Sequence, residues 1–74
     1  MVGRFLDEQC ETGDAFQVRG RPLYQAFSRW AEQVGEDGMT ETAFGLRMKD
    51  KPFEKKSGER GVVYLGLRLN DGDA

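Results

Sequence analysis

Residues 22–52 read PLYQAFSRWAEQVGEDGMTETAFGLRMKDKP, and this stretch decides the architecture. Leu23, Phe27, Trp30, Ala31 and Val34 recur at i, i+4, i+7, i+8 and i+11, which predicts a helix with one apolar face. Pro22 suits the first helical position, where its missing N–H would be unpaired anyway. Gly35 stands where a left-handed C-terminal cap belongs. Glu36-Asp37-Gly38 is then a tight connection, and Thr40 caps a following helix. Glu41 suits the positive end of that helix. Ala43, Phe44 and Met48 give it a core face, with Lys51 continuing the row. Pro52 ends it near Asp50. Two helices across a short glycine-bearing connection predict a helix-turn-helix.

On the N-terminal side, Val2 to Glu11 reads as a short amphipathic helix. Phe5, Leu6, Gln9 and Cys10 form its stripe, Asp7, Glu8 and Glu11 face away, and Gly13-Asp14 ends it. Phe16-Gln17-Val18 alternates as a short strand, and Gly20-Arg21-Pro22 turns the chain. On the C-terminal side lies a hairpin. Phe53 to Lys56 is one strand, Ser57 to Gly61 the loop, and Val62 to Leu69 the second strand. Strict alternation sends Val63, Leu65, Leu67 and Leu69 to one face and Val62, Tyr64, Gly66 and Arg68 to the other. The triplet at Phe16 is expected to add a third strand, because a lone hairpin is marginal in water. The order predicts an α+β winged helix-turn-helix. Three helices would join a small antiparallel sheet with a C-terminal β-hairpin wing, over residues 1–70, before a flexible tail at 71–74.

Composition narrows the chemistry. The chain has 74 residues, 38% hydrophobic and 32% charged, with net charge −2. That is one small domain with little core to spare. One cysteine and no histidine leave no intrachain disulfide, no ordinary zinc site and no histidine base. No metal, cofactor or catalysis is expected in this chain. The opening residues meet charge too early for a signal peptide. No apolar run approaches a membrane span, so a cytoplasmic location is the default expectation.

Charge is unevenly placed. Residues 1–41 carry four basic and eight acidic groups, net −4, whereas residues 42–68 carry seven basic and three acidic, net +4. Arg47, Lys49, Lys51, Lys55, Lys56 and Arg60 all fall on the third helix and the hairpin. In a winged helix these are the parts that approach DNA. Screening over about 8 Å hides distant acids from a bound phosphate, so an acidic chain can bind nucleic acid through one face. The expected DNA-binding set is Thr40, Thr42, Arg47, Lys49, Lys51, Lys55, Lys56 and Arg60. Helix phase puts Thr42, Gly45, Leu46, Lys49 and Asp50 opposite the Phe44–Met48 stripe. Thr42 and Lys49 are therefore expected at base edges, and Arg47 and Lys51 at phosphates.

Other groups have two readings each. Gly45 is read first as close packing on the preceding helix, with close approach of a DNA backbone as the second reading. Arg19 and Arg21, ahead of a helix N-terminus, are either a phosphate clamp or a solvated loop. Tyr64 either covers the second side of the hairpin or lies exposed on the wing. Asp7, Glu8 and Glu11 read as a solvated face, Trp30 as core, and Cys10 as a small buried hydrophobe.

The run Leu23-Tyr24-Gln25-Ala26-Phe27-Ser28-Arg29-Trp30, then Gly35, Thr40 to Gly45, Phe53-Glu54-Lys55-Lys56 and Val63-Tyr64-Leu65-Gly66-Leu67-Arg68-Leu69 resembles a known pattern. It is similar to the C-terminal domain of phage- and plasmid-encoded primase/helicases, in the group like the poxvirus nucleoside triphosphatase. Pro52 stands where that family often has glycine, and Leu65 where it is often polar. The resemblance implies a winged-helix module that places an ATP-driven helicase on DNA. No phosphate-loop motif is present here, so the helicase activity would belong to another part of a longer parent protein, or the chain would be a stand-alone relative. The expected function is thus a DNA-binding domain of a phage- or mobile-element-type DNA replication primase/helicase. Its partners would be duplex or forked DNA and the parent helicase. The alternative is a winged-helix protein–protein interaction module with no direct DNA contact.

Overall fold

A computed structural model of the chain describes residues 2–59 and 61–70. The elements are α1 (Val2–Gln9), β1 (Cys10–Arg19), α2 (Gly20–Val34), α3 (Glu41–Met48), β2 (Glu54–Gly58) and β3 (Gly61–Leu69). The class is α+β, with three helices against one antiparallel sheet of strand order β1-β3-β2. Among the described residues, no helix is long and apolar enough to cross a membrane. The polar residues at 71–74 and Arg60 lie outside the described residues.

α2 carries the apolar stripe read from its spacing. Leu23, Phe27, Trp30 and Ala31 are buried, while Val34, the last residue of the stripe, is 39% exposed. The helix starts two residues before Pro22. Pro22 falls in the first turn, where no intrahelical acceptor awaits its missing N–H. Gly35 closes the helix at φ 75°. Its N–H donates to the Glu32 carbonyl, and that of Glu36 to the Ala31 carbonyl at 2.9 Å, a Schellman pair that satisfies carbonyls left over at the helix end. The connection to α3 is pinned by the Tyr24 hydroxyl, which donates to the Met39 carbonyl at 2.7 Å. Thr40 then caps α3, its Oγ1 accepting from the Ala43 N–H at 3.1 Å.

The core is built around an aromatic cluster. Phe5 of α1 meets Phe27 edge-on, with ring centroids 5.4 Å apart. Phe27 meets Phe44 of α3 at 5.1 Å, and Tyr24 flanks Phe44 at 5.7 Å. One ring from each helix therefore fixes the three axes against one another. Such pairs add about 0.5–1.5 kcal/mol each beyond area burial. Met48, Leu67, Tyr64, Val18 and Cys10 complete the buried set from α3 and the sheet.

The sheet departs from expectation in two ways. First, the chain runs straight from α1 into a ten-residue β1, so Gly13 and Asp14 are in a strand and Phe16-Gln17-Val18 is only its last part. Second, β3 does not alternate along its whole length. Tyr64 and Leu67 are both buried, three residues apart, with Val62 and Leu69 packed on the same core. The reason is Gly66, at φ +96°, a conformation that L side chains rarely adopt. Pairing steps from Thr12 opposite Leu67 to Gln17 opposite Leu65, so residues 13–16 form a bulge opposite Gly66. This kink resets the pleat. Val63 and Leu65 consequently lie away from the core residues Leu67 and Leu69, with which strict alternation had grouped them. β2 and β3 pair as far as Gly58 opposite Gly61, further toward the tip than the expected loop of residues 57–61.

Candidate nucleic-acid interface

An open groove of about 850 Å³ runs between the start of α2, the outer face of α3 and the inner side of the hairpin. Arg19, Arg21 and Gln25 line it from the α2 side. Thr42, Gly45, Leu46 and Lys49 line it from α3, and Lys55, Val62 and Tyr64 from the hairpin. The geometry follows from anchoring. Phe44 and Met48 are buried to 2% and 1% exposure, so the opposite side of this short helix must face outward. Gly20 lets α2 begin hard against the hairpin, since a Cβ there would lie 3.3 Å from the Val62 side chain.

Gly45 decides between the two explanations given for it. A Cβ at this position would meet nothing within 4 Å. Close packing on α2 therefore does not account for the glycine, and the position faces the open groove.

Groove charge is cationic. Arg19, Arg21, Lys49 and Lys55 stand against one carboxylate, Glu41, four positive against one negative, or +3. Glu41 lies 3.5 Å from Arg21, with both side chains largely exposed, and such a pair is weak in water. Tyr64 lines the groove with its ring in the core, and burial pushes its phenol above the ordinary tyrosine range. It is neutral at physiological pH and adds no charge to the groove.

The expected DNA-binding residues do not share one surface. Thr42, Lys49 and Lys55 line the groove. Arg47 and Lys51 line a separate hollow with Val2, Gly3, Met39 and Asp50, and the Lys51 amine reaches back over α1 to within 3.2 Å of where a Gly3 Cβ would stand. Lys56 lines the outer side of the hairpin with Val63 and Leu65, because neighbours on a strand point to opposite faces. Thr40 is exposed at the α3 N-terminus, its oxygen engaged in the cap. Arg60 lies outside the described residues. Leu46 and Gln25 were not among the expected residues. Gln25 follows Arg21 by one turn, and Leu46 is an apolar residue on an otherwise polar face. Both signals were legible in the spacing.

The remaining arginines near the sheet and α1 are engaged elsewhere. Arg68 donates to Glu11 through Nε and an amino group, at 3.1 and 2.8 Å, with its guanidinium 4.1 Å above the Phe16 ring. Arg4 donates to Glu8 at 2.7 Å. Glu8 also accepts from the Trp30 indole N–H at 3.2 Å. Arg4 first, then Trp30, hold the Glu8 carboxyl below the usual glutamate range. Among the described residues, no cluster of three or more His, Cys, Asp or Glu side chains is placed to hold a metal. No protein-family model and no curated protein matches the chain.

Proposed function

We propose that this chain is a winged-helix DNA-binding domain that docks α3 against duplex DNA and is not itself catalytic. The observation that carries the reading is the groove. Lys49 at the C-cap of α3, Lys55 of the hairpin, and Arg19 and Arg21 at the start of α2 line one open surface, on which the α3 backbone carries no side chain at Gly45. A polyanion gains from such convergence by releasing counterions, whatever the net charge of the far side. Thr42 and Lys49 project from the helix face that would meet base edges. The narrower reading places the domain in a phage- or mobile-element-type replication primase/helicase and assigns it to loading the helicase. That reading rests on the resemblance of the Tyr24…Trp30, Phe44-Gly45 and Tyr64-x-Gly66 spacings.

A second reading, a protein-interaction module, draws support from Val63 and Leu65, which are only half buried on the outer side of the hairpin. Salt separates the two. Titrating labelled duplex at about 50 and about 200 mM salt should show affinity falling steeply with salt. The double variant Lys49→Ala/Lys55→Ala should flatten the log–log slope by about two units. Absence of binding at the lower salt, or binding indifferent to salt, favours the protein partner.

A further inference from the structure

Leu46 is 57% exposed, and Val34 is the other large hydrophobic side chain exposed among the described residues. Val34 ends α2 beside its glycine cap. Leu46 sits in the last turn of α3 on its groove side, one turn from Thr42 and three residues before the C-cap Lys49. The groove it lines carries four cations against one carboxylate, so a partner seated there is favoured if it is anionic overall, and one that also covers Leu46 must offer something apolar at the level of the helix. A duplex does both. The thymine C5-methyl is the apolar group on the base edges of the major groove, and apolar side chains contact it without hydrogen bonding. Gly45, next to Leu46, adds no side chain that would hold the helix away.

We infer that Leu46 covers thymine methyl groups in the major groove, so that α3 favours A·T-containing duplex through an apolar contact as well as through charge. This rests on the DNA-binding reading above. The occupant is duplex DNA and not single-stranded nucleic acid, because the contact needs a helix seated in a groove.

The test compares the 74-residue chain on a duplex of alternating A·T pairs with the same duplex carrying deoxyuridine in place of thymidine. The two differ by the methyl group. Covering one methyl is worth about fourfold in affinity, so the wild type should bind the thymidine duplex at least that much more tightly. Leu46→Ala should bind both equally and keep the salt slope of the wild type. Truncating so exposed a side chain leaves the core intact, which circular dichroism would verify. Equal affinity of the wild type for the two duplexes, with salt-dependent binding retained, overturns the methyl contact and leaves the DNA reading standing. A thymidine preference that survives in Leu46→Ala also overturns it. Failure to bind either duplex at about 50 mM salt overturns the DNA reading and this inference with it.

Discussion

Gly45 and Gly66 should respond oppositely to an added methyl, because one has open space where a Cβ would go and the other holds a positive φ. Gly45 lies inside α3 with open space where a Cβ would go. Glycine there costs a helix about 1 kcal/mol relative to alanine, and nothing in the packing offsets it. Gly45→Ala should therefore raise the urea midpoint by an amount equivalent to about 1 kcal/mol. It should also weaken duplex binding, because the methyl stands in the groove. Gly66 holds φ +96°, and a Cβ would lie 3.4 Å from the Phe53 ring. Gly66→Ala should lose about 1–3 kcal/mol in the same denaturation experiment. An unchanged midpoint there would mean that the β3 kink is not needed. Sequence alone flagged Gly45 as anomalous and favoured packing as its cause. Only the empty space around it removes the packing explanation.

At the level of elements, the helices were legible and the sheet was only partly so. Leu23 to Ala31 announces α2 because its apolar face is both periodic and buried, and Thr40 and Gly35 mark helix ends through local chemistry that needs no distant partner. β1 was seen only at Phe16-Gln17-Val18. Its first part, Cys10-Glu11-Thr12, has no apolar alternation and is extended because it pairs with the distant β3, a tertiary effect that outweighs propensity. The inward turn of Tyr64 was missed for a related reason, although a glycine inside a strand is itself the sign of a bulge. The joint of α1 with α2 shows how such partnerships register in stability. Glu8 accepts from both Arg4 and Trp30, and its carboxyl titrates below the ordinary range. A lowered carboxylate stabilises fully above the unfolded value, about pH 4.3, and loses that contribution as pH falls through the folded value. Thermal unfolding of wild type and Glu8→Gln should thus differ at about pH 7 and converge once the pH has fallen below the folded value. The difference should be small, since the pair is exposed. A gap that persists in acid would mean that the ionised carboxylate is not the source of the effect.

For the whole molecule, the question is which of the positive charges gathered in the C-terminal half of the sequence act together in space. Linear clustering put Lys55 and Lys56 in one set, yet a strand sends neighbours to opposite faces. Lys55 sits opposite Tyr64 and Lys56 opposite Val63, so one faces the groove beside α3 and the other the outer side of the sheet. Arg47 and Lys51 likewise turn from the groove toward α1. What the sequence could not supply was this division, because it depends on strand parity and on where the buried rings anchor α3. Arg19 and Arg21, arriving from the other half of the chain, raise the groove from +1 to +3. The two adjacent lysines make the sharpest comparison. Each is exposed and can be truncated without touching the core. If the duplex lies in the groove, Lys55→Ala should reduce the slope of log affinity against log salt by about 0.9, and Lys56→Ala should leave it unchanged. Equal losses in the two variants would place the phosphate backbone across the edge of the hairpin instead, and α3 would then have to meet DNA at a different angle from the one the groove imposes.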